Sequence, residues 1–246
     1  MTMRKYVLKR DAQDERDLQF MHSINPHASV KLPSKVDLRS NCPPIFDQGQ
    51  LGSCTANAGV ACRQMLSGKP FTNLSRLFLY YEERVIEGSV KQDAGASMRD
   101  ICKALATYGV CQEILMPYDI AKFAIAPSVK AVQDALTYKI RAYKNLGTLT
   151  EIQQALAITQ KPVLIGMAVY ESFESDVVAK TGKMPMPKTR EQNLGGHAVL
   201  VVGYDNVKKV LIVRNSWGAT WGDAGYFYMP YAYITKELAY DFWTIE

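Results

Sequence analysis

The sequence predicts an α+β fold, helical in its first half and mainly antiparallel sheet in its second. Three observations carry this. Apolar residues recur at a 3.6-residue period from Cys54 to Thr159. After Pro162 the chain turns to short runs rich in Val, Ile, Tyr and Phe. The two patterns are segregated rather than alternating. The chain of 246 residues is long enough for one large domain or two lobes, and it can bury a core without disulfide staples.

Residues 1–31 differ from the rest. Arg4, Lys5, Lys9, Arg10, Asp11, Asp14, Glu15, Arg16 and Asp17 crowd a segment with few apolar residues, and Pro26 and Pro33 punctuate its end. This reads as an arm lying along the surface rather than a builder of the core. The first helix follows from Cys54, where Cys54, Ala58, Ala61, Cys62, Met65 and Leu66 share one helical face. Gly68 stops it, and Gly49 and Gly52 make the tight turn ahead of it. Ser75–Glu87 reads as a second helix. Ser97–Tyr108 reads as a third, with Ser97 and Asp100 spaced as a capping box and Gly109 as the stop. Pro127–Tyr138 and Thr150–Thr159 are two shorter helical patterns.

Val163–Val169, Ala198–Tyr204, Val210–Arg214, Tyr226–Met229 and Phe242–Ile245 read as strands, with Asp205-Asn206 a hairpin turn between two of them. Glu171–Gly196, with Pro185, Pro187 and several charges, reads as a long functional loop.

Composition narrows the function classes. Hydrophobic residues are 48% and charged residues 22%, an ordinary globular balance that excludes a disordered or collagenous chain. No internal period is present. The longest apolar runs, Pro162–Tyr170 and His197–Tyr204, are far short of a membrane span. Met1–Arg10 is basic with no apolar stretch after it, so it does not read as a Sec signal peptide, and the compartment stays unassigned. The net charge of +5 is spread among acids, with no basic block, so no nucleic-acid partner is expected. The cysteines are Cys42, Cys54, Cys62, Cys102 and Cys111, an odd number with no C-x-x-C pair. With only three histidines, no metal and no cofactor are expected. Cys42 and Cys111, both in loops flanking helices, are the best candidates for a bridge, and Cys62 and Cys102 read as buried thiols.

Four segments stand out: Gln48–Cys54, Gly195–Ala198, Asn215–Gly218 and Trp221–Tyr226. A thiol nucleophile needs a lowered pKa, a base within hydrogen-bond reach and donors for the developing oxyanion. Cys54 sits at the first turn of a helix, where the dipole favours thiolate. His197 begins a strand, a rigid mount for a base. Asn215 ends the neighbouring strand, close enough across an antiparallel pair to hold the imidazole. Gln48, across the Gly-rich turn, and the Cys54 backbone N–H are candidate oxyanion donors. Each residue alone has a plain structural reading: a buried thiol, a rim histidine, a turn asparagine, a surface glutamine. The joint order of the segments favours catalysis.

The chain resembles the papain-like cysteine peptidases, in their microbial branch. Leu32–Arg39 resembles the family's mature start, Gln48…Gly52-Ser53-Cys54 its nucleophile motif, and Gly196-His197-Ala198 with Gly203-Tyr204 its base segment. Asn215-Ser216-Trp217-Gly218-Ala-Thr-Trp221-Gly222-Asp-Ala-Gly225-Tyr226 is similar to its most specific motif. The resemblance implies a two-lobed fold over residues 32–246, with a helical lobe about 45–145, a sheet-rich lobe about 146–246 and an active-site cleft between them. It implies a thiolate and acyl-enzyme on Cys54, His197 as general base and acid, Asn215 orienting His197, and Gln48 in the oxyanion hole. Trp217 would shield the pair, and Gly95, Ala96 and Gly196 would bind substrate backbone.

Thr55 stands where the family has an aromatic residue, and Leu51 and Asp93 where it has a disulfide. Two further activities keep the same residues, a papain-like amide hydrolase or a transpeptidase, and a non-catalytic binding module is the other class. The expected partner is a polypeptide substrate, bound by a monomer with no membrane. The usual globular propeptide does not fit in 31 residues. Two readings of residues 1–31 stand side by side: a segment that packs across the cleft and inhibits the enzyme itself, or a disordered or surface-strapped tail.

Overall fold

The computed structural model describes residues 4–23 and 31–246. Residues 1–3 and 24–30, and with them Pro26 and part of the arm's final stretch, lie outside the described residues. The elements in chain order are β1 (Lys35–Asp37), α1 (Cys54–Ser67), α2 (Arg76–Ile86), α3 (Met98–Thr107), α4 (Val129–Ala135), β2 (Tyr143–Leu146), α5 (Leu149–Ala157), β3 (Val163–Tyr170), α6 (Asp176–Thr181), β4 (Asn193–Asp205), β5 (Val210–Arg214), β6 (Tyr226–Pro230) and β7 (Ala239–Ile245). Among the described residues no helix is long and apolar enough to cross a membrane.

Local chemistry sets the helix ends. The Ser75 hydroxyl accepts from the Phe78 N–H, that of Ser97 from Asp100, that of Ser128 from Ala131 and that of Thr148 from Glu151. Each satisfies one N–H that a first helical turn leaves unpaired. At Ser97 the box is half closed: its own N–H goes to Glu87 Oε1 at 3.0 Å, not to Asp100. α1 is buried on almost every side and carries small residues, Ala56, Ala58, Gly59 and Ala61, which admit close neighbours. It packs between α2, α3 and β4.

All strand pairs in the sheet are antiparallel, in the order β2-β7-β3-β4-β5-β6, with β1 added alongside β4. β3 is buried along nearly its whole length, as its unbroken Val-Leu-Ile run requires. Two short strands escape the sequence patterns. β1 and β2 have three and four residues and owe their form to long-range pairing, with Tyr204 and with Ile245 among others. β1 precedes the helices in sequence yet belongs to the sheet. The expected loop Glu171–Gly196 is also more ordered than its composition indicates. It holds a 3-10 turn at Glu171–Glu174, then α6, and its Phe173 is buried against Trp217, Trp221 and Phe227. No disulfide joins Cys42 and Cys111: all five cysteines are free. Cys42 Sγ packs 3.7 Å from Met65 Sδ, whereas Cys111 is buried beside Ser75, whose N–H its carbonyl accepts.

The arm is strapped to the body. Leu8 and Phe20 are buried core residues, and the Asn145 N–H donates to Leu18 O at 2.7 Å, beside β2.

Candidate active site

Buried Arg214, at the end of β5, donates to the carbonyls of Pro43 and Pro44, both at 2.6 Å. This draws residues 43–47 onto the sheet, and the Gln48 N–H then donates to Ser216 O at 2.9 Å. Gln48 thus lies beside the segment that follows β5. Its side-chain Oε1 accepts from the Ser216 hydroxyl at 2.6 Å, and its Nε2 donates to Leu51 O at 3.0 Å, leaving a second N–H on Nε2. Ser216 therefore fixes which way the amide points, a role the sequence reading did not assign although Ser216 lies inside the quoted motif.

Cys54 is the first residue of α1. The Ser53 side chain makes no cap bond; its hydroxyl pairs with Tyr118 at 2.6 Å instead. The first-turn N–H groups of α1 are thus left uncapped by Ser53. The Ala198 N–H, next to His197 on β4, bears on the Cys54 sulfur, as do the N–H groups of Thr55 and Cys54 itself.

His197 pairs with Met167 across β3 and β4. Its Nε2 donates to Asn215 Oδ1 at 2.9 Å, and the Ser216 N–H donates to the same oxygen at 2.9 Å. Two donors on one oxygen fix the amide orientation, so the imidazole is protonated at Nε2. Nδ1 is buried without a partner, an acceptor in wait. Trp217 stacks on the imidazole at 5.0 Å between ring centroids.

Burial pushes the Cys54 thiol up to about 12 against those three N–H groups, and the nearby Glu83 adds to the rise. Burial pushes His197 down to about 4, partly offset by its bond to Asn215. Both shifts run against the expected thiolate, and their cause is burial: Cys54 and His197 are each 1% exposed.

The arm lies over this pair. Tyr6 meets the His197 and Trp217 rings edge-on, at 6.1 and 6.3 Å. The Leu8 N–H donates to Gly196 O at 3.2 Å, and the Lys9 N–H donates to Ala96 O at 3.1 Å. A Cβ on Gly95 would stand 2.2 Å from Val7 O, so only glycine admits the arm there. The three residues expected to bind substrate backbone thus meet the chain's own backbone. On one side Arg4 caps the Trp217 ring at 4.0 Å and bonds Glu174. On the other, Arg10 donates to the carbonyls of Lys236 and Glu237, and Asp11 accepts from the Arg99 N–H and from Trp243 Nε1. Among the described residues no group of three or more His, Cys, Asp or Glu is placed to hold a metal ion.

Cys54 thus starts α1, the His197–Asn215 pair lies on the adjoining sheet, and Ser216 holds the buried Gln48 amide. Residues 32–239 match the papain family cysteine protease profile. An uncharacterized peptidase C1-like protein of Acanthamoeba polyphaga mimivirus is 42% identical over 215 residues, covering 82% of this chain and 69% of that protein. Cysteine proteinase 3 of Entamoeba histolytica is 31% identical over 210 residues, covering 82% of this chain and 65% of that protein. Among solved structures, xylellain, a cysteine protease from Xylella fastidiosa, superposes with a TM-score of 0.89 at 38% identity, covering 100% of this chain and 98% of that one. The chain belongs to the papain family of cysteine proteases, and its fold is the papain-like α+β fold.

Proposed function

We propose that the protein hydrolyses peptide bonds through Cys54, in a cleft that its own N-terminal segment covers at rest. The observation that carries this reading is the arm segment Tyr6–Lys9, in which the N–H groups of Leu8 and Lys9 donate to Gly196 O, next to His197, and to Ala96 O. A groove that accepts one extended backbone by main-chain hydrogen bonds accepts another, whatever its side chains.

In this reading a substrate strand displaces the arm and takes the same two carbonyls. His197 Nδ1 removes the Cys54 proton, and Asn215 steadies the imidazolium that forms. The sulfur attacks the scissile carbonyl. The free N–H of Gln48 Nε2 and the Cys54 N–H receive the oxyanion. The imidazolium protonates the leaving amine, and water, activated by Nδ1, hydrolyses the acyl-enzyme. Trp217 keeps water from the His197–Asn215 bond. The helical lobe of about 45–145 supplies Gln48 and Cys54, and the sheet-rich lobe of about 146–246 supplies His197 and Asn215.

The arm resists cleavage in this scheme because none of its carbonyls is held by the oxyanion donors. Among the described residues no hydrogen bond joins an arm carbonyl to Gln48 Nε2 or to the Cys54 N–H. A tethered segment has an effective concentration around millimolar, so modest groove affinity keeps it seated. Hydrolysis of a fluorogenic peptide panel, with mass analysis of products and labelling of Cys54 by an epoxide thiol inhibitor, tests the reading. Amide turnover with Cys54 labelled supports it; no labelling and no turnover after the arm is displaced would leave a binding module.

A further inference from the structure

The loop between the two oxyanion donors, Gln48 and Cys54, needs an anchor. Gly52, two residues before Cys54, is buried and donates its N–H to Asp93 Oδ1 at 2.9 Å. The hydroxyl of fully buried Tyr80, on α2, donates to the same oxygen. That hydroxyl also accepts from the Gly95 N–H at 3.3 Å. One carboxylate oxygen thus ties the nucleophile loop, α2 and the Gly95–Ala96 segment into one unit. The approach is close: a Cβ on Gly52 would stand 2.9 Å from Asp93 Oδ1. The other oxygen, Oδ2, takes Lys5 Nζ of the arm at 2.5 Å.

The structure assigns Asp93 as a positioning residue for the hydrolytic reaction: through Gly52 and Tyr80 it holds the oxyanion loop in register with the backbone-binding segment at Gly95–Ala96. The inference rests on the proposed Cys54 chemistry. Positions 51 and 93 are those at which the resemblance places a disulfide; here the connection is made by hydrogen bonds to a charged acceptor. Such bonds are shorter and about twice as strong as neutral ones. An oxyanion donor is effective only when it is fixed where the charge develops, and a displacement of about 1 Å far from the reacting atoms can cost about 10²-fold in rate. The two oxygens have separable duties. Oδ1 orders the body of the enzyme, and Oδ2 serves only the arm.

That separation gives the test. Asp93→Asn keeps an Oδ1 acceptor for Gly52 and Tyr80 but loses the ion pair with Lys5. Asp93→Ala loses both. Full-length proteins are compared by kcat and KM on one fluorogenic peptide, with Lys5→Met as the control that loosens the arm alone. Lys5→Met is expected to lower the apparent KM at near wild-type kcat, because the tethered competitor is weakened; Asp93→Asn, whose neutral oxygen still accepts but more weakly, is expected to share the lowered KM with a kcat between wild type and Asp93→Ala. Asp93→Ala is expected to lower kcat by about 10–100-fold. If Asp93→Ala fails to fold by circular dichroism, Tyr80→Phe, which keeps the buried ring, replaces it, with a several-fold lower kcat expected. Undiminished kcat in the folded Ala variant, or in the Phe variant where it stands in, overturns the assignment. So does an Asn variant as slow as the Ala variant. Cys54→Ala run in parallel separates the two claims: residual turnover there sinks the Cys54 chemistry itself, whereas an inactive Cys54→Ala beside an undiminished Asp93→Ala sinks the Asp93 strut alone.

Discussion

His197 Nε2 donates to Asn215 Oδ1 at 2.9 Å, while the opposite ring nitrogen is buried with no partner. The asparagine oxygen is itself pinned by the Ser216 N–H. One ring nitrogen is thereby committed and the other left basic. Asn215→Ala should let the ring turn and exchange tautomers. The expected result is a fall in kcat/KM of at least tenfold with a narrower pH profile. An unaltered profile would remove Asn215 from the mechanism.

Cys54→Ala should abolish hydrolysis with a change in Tm of no more than a few degrees. In the proposed mechanism the sulfur supplies the covalent path, but it is small, and α1 keeps its alanine-rich packing. Turnover by the variant at the wild-type rate would show that another nucleophile acts.

In the proposed mechanism Gln48→Ala removes one oxyanion donor and should lower turnover by about 10²–10³-fold. Ser216→Ala should have a smaller effect of the same kind, because it frees the Gln48 amide to flip. Stopped-flow acylation rates distinguish these from binding defects, and equal acylation in wild type and Gln48→Ala would count against the hole.

Docking of the arm should strengthen as pH falls toward 4. Burial first, and then the neighbouring Asp11 carboxylate, pushes Asp241 from its ordinary 3.8 to about 6; burial also raises Asp11. A raised carboxyl pKa means the docked state binds the proton. The stabilisation is complete below the ordinary value and is lost as pH rises through about 6. Fluorescence anisotropy of a dye on the amino terminus should be highest near pH 4 and fall by pH 7. Asp241→Asn, neutral throughout, should flatten the profile, and a profile that persists in that variant would place the switch elsewhere.

Phe173→Ala should destabilise the protein by about 3–5 kcal/mol, as for other buried aromatic truncations. Phe173 packs 5.5 Å from Trp217, which covers His197, so kcat should fall with stability. Denaturant titration alongside kinetics tests both, and a loss below about 1 kcal/mol would show that the Glu171–Glu174 turn carries little of the fold.

The sequence alone determined what local periodicity and short motifs encode. The helices from Cys54, Ser75 and Ser97 start within a residue of the expected positions, because side-chain caps and apolar spacing are local signals. Gln48, Cys54, His197 and Asn215 stood out because the proposed thiol chemistry would require those side chains in recognisable neighbourhoods. The tertiary structure decided the rest, because it depends on contacts between distant residues. β1 and β2 are too short to show a period and exist through their pairings with β4 and β7. The burial that shifts Cys54 and His197 is set by tertiary packing, which no motif reports. The course of residues 4–11 depended on Leu8 reaching Gly196, Lys9 reaching Ala96 and Asp11 reaching Trp243. The anchor at Asp93 was legible only as a missing cysteine, since its partners Gly52 and Tyr80 meet it through the folding of three separate segments.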